Sequence, residues 1–313
     1  MGKERIHEMV PPSQRRPGKP EQGVIQIGVT RLCDKSCYGC TQGSNFKGNS
    51  GFITLDQFEQ ACQSLENYFG VVGVFGGNPC LHPQFPVLCD ILSQYIPFHR
   101  RGLWANKLFG NGEACRRTFN PSVSNLNVHL DEEAYNEFRR DWPECRPFGL
   151  RQESRHSPPY VAIKDLIEDE EEQWNRIVNC DINKHWSAII VVFRGELRGY
   201  FCEIAGAQAV LHQHEEDYPD LGVRIEKDGK DWWNQPMMSY FRQAEYHCLR
   251  CGVPLRGHGE LAQTGTGPEQ VTKTHANIAK PKQEKREVQI VTSLEQLGKP
   301  VSKMTDYLGN ARG

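Results

Sequence analysis

The chain has 313 residues, 37 basic and 39 acidic side chains, a net charge of −2 and 38% hydrophobic content. That balance excludes the one-signed electrostatic footprint of a nucleic-acid binder, and no run of about 18 apolar residues exists to cross a membrane as a helix. The first residues, MGKERIHEMVPPSQRRPGKPEQG, lack the apolar core of a secretory signal, so the twelve cysteines are expected in a reducing cytoplasm, as metal ligands rather than disulfides.

Residues 1–22 are rich in Pro, Arg, Lys and Gln and are expected to be a disordered tail. A β-branched run, Val24 to Thr30, then predicts a strand. Cys33, Cys37 and Cys40 follow it in one short loop. Three thiolates can hold three irons of a cubic [4Fe–4S] cluster and leave the fourth iron open to a small molecule, whereas four would close it. The alternative is zinc, with Cys37 and Cys40 joined by Cys248 and Cys251. Zinc leaves Cys33 without a task. Thr54 and Gln57 form a T-x-x-Q helix start, followed by Leu55, Phe58, Cys62, Leu65 and Phe69 at near-helical spacing.

Val71–Phe75 predicts a second buried strand, ending in the turn Gly76-Gly77-Asn78-Pro79. Paired glycines let backbone approach a ligand closely, and in an α/β barrel ligands sit at the C-terminal ends of strands. A helix is expected over Phe85–Tyr95, a strand over Gly102–Ala105 ending at Asn106 and Lys107, and a strand over Asn125–Leu130. A further strand is expected at Tyr160–Ile163 and a helix with an acidic start at Glu168–Val178. Repeated strand–helix units imply parallel strands with right-handed crossovers.

A CxxxCxxC loop after the first strand, followed one helix and one strand later by a GGxP loop, resembles the radical S-adenosylmethionine (radical SAM) superfamily. The resemblance implies an α/β fold, a partial (β/α)6 TIM-type barrel over residues 23–178. It implies a [4Fe–4S] cluster on Cys33, Cys37 and Cys40 whose open iron binds S-adenosylmethionine. Reductive cleavage of that sulfonium gives a 5′-deoxyadenosyl radical, which abstracts a substrate hydrogen. Tyr38, Gly39, Gly76, Gly77, Asn78 and Pro79 are the implied cofactor contacts, with the strand-end residues Asn106, Asn127 and His129 as further candidates. Two positions depart from the family pattern. Gly39 stands where an aromatic residue is commonest, with Tyr38 one place earlier, and Asn78 replaces a glutamate. An amide oxygen still accepts from the ammonium of S-adenosylmethionine, without the charge.

Residues 179–256 carry a second constellation: Cys180, a predicted hairpin, Cys202, a helix, then Cys248 and Cys251. These four suit either a fully ligated [4Fe–4S] cluster or zinc, since thiolates alone do not separate the two. Their order resembles the twitch extension, a short relative of the SPASM domain that follows many radical SAM barrels. A closed second cluster can accept the electron left after hydrogen abstraction. The implied activity is oxidation of a small alcohol, sugar or cyclitol, with a reductant such as flavodoxin or ferredoxin. The alternatives are a maturase acting on a peptide or protein side chain, and a non-catalytic zinc or electron-transfer protein. Arg151 and His156 are candidates for the general base, and Cys80, Cys115 and Cys145 for a hydrogen donor. Cys62 and Cys89 sit on apolar helix faces and are expected in the core. Residues 257–313 are polar and expected to be a largely disordered tail. The substrate itself is chosen by loops with no transferable code.

Overall fold

The computed structural model describes residues 2–15, 23–48, 51–150, 155–156, 158–180, 182, 187–226, 231–255, 261–262, 268–278, 281 and 286–297. Three parallel strands begin the sheet: β1 (Val24–Thr30), β2 (Val71–Gly76) and β3 (Arg101–Leu103). Val24 lies opposite Val71, and Val72 opposite Arg101. The first two strands are almost wholly buried along their length, as expected where helices cover both faces of parallel strands. Helix α1 (Leu55–Ser64) links β1 to β2, and α2 (Phe85–Tyr95) links β2 to β3. The expected cap of α1 is present: the Gln57 N–H donates to Thr54 Oγ1 at 3.2 Å, and the Thr54 N–H donates to Gln57 Oε1 at 3.1 Å. Thr54→Ala is expected to cost about 1 kcal/mol, read as a lower denaturation midpoint with unchanged iron content. Helices α3 (Gly112–Thr118), α4 (Glu132–Asp141) and α5 (Glu170–Val178) follow.

The hairpin of β4 (Ala188–Phe193) and β5 (Glu196–Tyr200) turns at Arg194 and Gly195, both at positive φ (48° and 83°), the geometry that matches strand twist in a two-residue turn. It does not form a sheet of its own. β4 pairs in parallel with β1, Ile25 opposite Ala188 and Ile27 opposite Ile190, and β6 (Val223–Arg224) pairs with β5. The six-stranded sheet therefore runs β3-β2-β1-β4-β5-β6. Along β4, Ala188 and Ile190 enter one core with Ile27, Phe58 and Val72, while Ile189 and Val191 enter a second with Trp174, Tyr200 and the cysteines of the second constellation. The one sheet thus takes β1–β3 from before residue 178 and β4–β6 from after it.

The fold is mixed α/β, and among the described residues four strands of that sheet run parallel. Asn125–Leu130 makes only two isolated bridges, Trp104 with Asn125 and Asn127 with Phe148. Asn127 Oδ1 accepts from the His129 N–H at 3.0 Å, and His129 and Leu130 take positive φ (49° and 63°), so the chain turns instead of extending. Tyr160 sits in a turn, and Ile163–Leu166 is a single helical turn. Both expected tails are packed in part. Residues 2–15 form short helical turns and bury Ile6 and Met9 in the second core. Near the other end, β7 (Glu269–Val271) and β8 (Val288–Ile290) pair in parallel, and Pro281 bridges Phe46 of the cysteine loop. Among the described residues, no helix is long and apolar enough to cross a membrane.

Candidate metal centres and cofactor site

The cysteine loop leaves β1 at its C-terminal end and is laced to the loop leaving β2. The Gly77 N–H donates to Thr30 O at 2.8 Å and the Asn78 N–H to Leu32 O at 2.7 Å. This is why two glycines stand there. A β-carbon on Gly76 (φ +149°) would lie 1.9 Å from Thr30 O, and one on Gly77 would lie 2.2 Å from Leu32 O. The close approach expected of a ligand is thus made by the cysteine loop itself. Cys33, Cys37 and Cys40 are half-buried. Burial, and then the neighbouring Cys40 and Cys33, push the Cys37 thiol up.

Asn78 is fully buried. Its Oδ1 accepts from the Cys80 N–H at 3.0 Å, and its Nδ2 donates to Lys107 O at 2.9 Å and to Asn106 Oδ1. Asn106 Nδ2 continues the chain to Asp34 Oδ1 at 3.2 Å and Cys33 Sγ at 3.6 Å. The amide at position 78 therefore ties the two loops together through its N–H donors, a task no carboxylate performs. Asn78→Asp, although it approaches the family's acid, is expected to set a buried carboxylate against two acceptors. We expect destabilisation of about 2 kcal/mol or more, measured by denaturant melting alongside loss of iron.

A third wall comes from the segment expected to be a tail. Glu269 Oε2 accepts from the Gly39 N–H at 3.0 Å, and its Oε1 accepts from Asn45 Nδ2 and from an Arg286 guanidinium nitrogen, each at 2.7 Å. The same nitrogen donates to Ser36 O at 3.0 Å. The Arg286–Glu269 pair is nearly inaccessible, with side chains 4% and 2% exposed. Tyr38 lies under the Arg286 guanidinium, 5.4 Å from ring centre to carbon, and burial with the Glu269 charge pushes its phenol up to about 12. On the opposite side, Lys35 pairs with Asp131 at 2.7 Å, and Asp131 caps α4 through the Ala134 N–H. That ion pair ties the turn bearing Asn127 and His129 to the cysteine loop.

The second constellation converges. Cys180, Cys202, Cys248 and Cys251, all buried, line one cavity of about 20 Å³ with Phe201, Ile204, His247 and Val253. Burial pushes Cys202 up to about 12, with Arg15 opposing, and pushes Cys251 up. The Val253 N–H donates to Cys251 Sγ at 3.4 Å. His247 Nδ1 faces Gln208 Oε1 at 3.2 Å and Tyr218 Oη at 3.3 Å, while its buried Nε2 has no protein partner among the described residues. Burial holds this imidazole neutral, down to about 3. Four thiols around one space are a donor set that suits a four-iron cluster or a zinc ion. Among the described residues, no three His, Cys, Asp or Glu side chains are placed to hold one metal ion.

Among the described candidates, Cys115 and Cys145 lie away from both centres. Cys115 and Cys145 are fully buried in the first core, Cys115 pushed up by burial and by Cys80, and Cys145 up to about 12 by burial. Cys80 is buried behind the Gly76–Pro79 turn. His156 lies in a two-residue ladder opposite Leu261, and Arg151 lies outside the described residues. Sequence reasoning missed Glu269, Arg286, Arg15, His247 and Lys35. Of these, Lys35 lies inside the cysteine loop and His247 directly precedes Cys248 of the Cys248/Cys251 pair.

No family model matches the chain, and no curated protein matches it. Among solved structures, the chain is similar to BtrN in complex with AdoMet and 2-DOIA, at 14% identity and a TM-score of 0.43, over 73% of this chain and 92% of that one. It is similar to selenomethionine BtrN in an open conformation at 11% identity and a TM-score of 0.38, over 78% and 92%. It is also similar to native anSMEcpe with bound AdoMet and a Cp18Cys peptide at 14% identity and a TM-score of 0.26, over 36% and 33%.

Proposed function

We propose that the chain is a radical SAM oxidoreductase that removes hydrogen from a small alcohol, with a second, fully ligated [4Fe–4S] cluster as electron acceptor. The observation that carries this reading is the cysteine loop: Cys33, Cys37 and Cys40 follow the C-terminal end of β1, where Thr30 and Leu32 accept from the Gly77 and Asn78 amides. When bound there, a three-cysteine cluster with S-adenosylmethionine on its open iron supplies a 5′-deoxyadenosyl radical that takes a substrate hydrogen atom.

The chain's residues do the rest. Asn106 donates toward Cys33 Sγ and spreads charge away from that sulfur. Asn78, Glu269 and Arg286 fix the loop from two sides. An alcohol carbon that has given up a hydrogen atom must still lose a proton and an electron to become a carbonyl. The buried Cys180, Cys202, Cys248 and Cys251 cavity supports a place for that electron, for which a redox-neutral rearrangement has no use. A reductant of the flavodoxin or ferredoxin class would deliver the first electron.

Anaerobic reconstitution is expected to load about eight irons per chain, four per cluster, and incubation with S-adenosylmethionine and a reductant to release 5′-deoxyadenosine. Zinc in place of iron, or no nucleoside, overturns the reading. Cys248→Ala is expected to halve the iron while 5′-deoxyadenosine formation persists, since it empties the second site and spares the first.

A further inference from the structure

We propose that Arg15 is a positioning residue for the second cluster: a buried countercharge that makes the group held by Cys180, Cys202, Cys248 and Cys251 easier to reduce. This rests on the reading of that cavity as a cluster site. Arg15 belongs to the N-terminal segment that anchors itself through Ile6 and Met9 in the same core as the four cysteines. It is completely inaccessible to solvent. Its Nε donates to Val10 O at 3.1 Å, which fixes the guanidinium plane, and its central carbon lies 5.8 Å from the Phe201 ring centre. Phe201 and the adjacent Cys202 both line the cavity. Among the thiols, its charge acts most strongly on Cys202 and next on Cys180, and it also acts on the buried Glu203.

A guanidinium keeps its proton throughout the accessible pH range, and an interior this dry screens it poorly. Burying it is unfavourable unless negative charge lies close by. A cluster ligated by four thiolates is anionic, and the electron lost by the substrate radical makes it more so. Net charge and burial are among the properties that set a cluster's potential. A fixed cation over the ring of Phe201, the residue before Cys202, therefore stabilises the reduced form more than the oxidised form. In the proposed oxidation the substrate radical loses one electron and one proton, and the cluster gains that electron. Arg15 takes no part in the bond changes.

The test compares full-length, reconstituted wild type with Arg15→Met, Arg15→Gln and Arg15→Lys, by iron analysis and redox titration followed by electron paramagnetic resonance. The first cluster is identified by the change in its signal when S-adenosylmethionine is added. At a fixed solution potential, Arg15→Met and Arg15→Gln are expected to lower the reduced-to-oxidised ratio of the second cluster at least tenfold, which for one electron is about 59 mV. The first cluster is expected to be unmoved and Arg15→Lys to stay near wild type. An unchanged ratio in the neutral variants, or a loss in Arg15→Lys equal to theirs, overturns the proposal. If the neutral variants fail to load the second site, loading of Arg15→Lys supports a need for charge, and its failure shows that packing alone is at work. A wild type holding only four irons defeats the two-cluster reading itself.

Discussion

Cys37→Ala is expected to remove about four of eight irons per chain and to bring 5′-deoxyadenosine formation below detection. Cys37 is the middle ligand of the loop, and both Cys33 and Cys40 act on it electrostatically. With alanine there, two thiolates remain, too few to hold three corners of a cube. The surrounding structure does not depend on that sulfur. The Cys33–Cys40 backbone is held by Gly39 N–H to Glu269 and by Ser36 O to Arg286, and the chain leading into it by the Gly77 and Asn78 amides on Thr30 O and Leu32 O, so circular dichroism is expected to be preserved. Cys62→Ala is the matched control. That sulfur is fully buried on α1, in the first core, and its loss is expected to lower stability through packing while iron and nucleoside stay at wild-type levels. Full iron loading in Cys37→Ala, or equal iron loss in both variants, would remove the basis for a cofactor site at this loop.

The parts of this site legible in the sequence are those in which local chemistry and local geometry coincide. Three thiols within eight positions have few other uses, and a Gly-Gly pair after a β-branched run marks a backbone under crowding. What sat against those glycines was not legible, because Thr30 O and Leu32 O are distant in sequence from Gly76 and Gly77. The hairpin at β4 and β5 was readable as a hairpin, since an apolar run and a turn at Arg194-Gly195-Glu196 are local. Its neighbour was not. A continuous apolar run tells that both faces of β4 are buried, but it does not say that β1 is the partner. Asn125–Leu130 read as a strand because its apolar residues alternate, and the Asn127 side chain overrode that pattern by bonding its own backbone two residues on. The largest omission was in the tails. Arg15, Glu269 and Arg286 sit in polar, proline- and lysine-containing stretches whose composition resembles unstructured chain. Burial of a charge is set by a partner far along the sequence, and no windowed property reports it.

Glu269→Ala is expected to be the most disruptive change outside the cysteines, and its double-variant partner separates stability from positioning. Removing the carboxylate leaves the Arg286 guanidinium buried without the anion that faces it at 2.7 Å. Breaking such a pair from one side costs about 3–5 kcal/mol, so a marked fall in the thermal midpoint is expected. The Gly39 N–H and Asn45 Nδ2 lose their acceptor in the same step, so the cysteine loop loosens and the first cluster is lost, while the second site keeps its four cysteines. In Glu269→Leu/Arg286→Met the uncompensated charge is gone, and exchanging a whole buried pair for apolar side chains is often neutral or better. The thermal midpoint is therefore expected to recover most of the way. The iron of the first cluster is not expected to follow it, because the Gly39 amide and Ser36 carbonyl still lack the groups that held them. Recovery of both midpoint and iron together would reduce the Glu269–Arg286 pair to a stabilising contact. Recovery of the midpoint alone would make the segment from residue 269 to 286 part of the apparatus that shapes the cysteine loop.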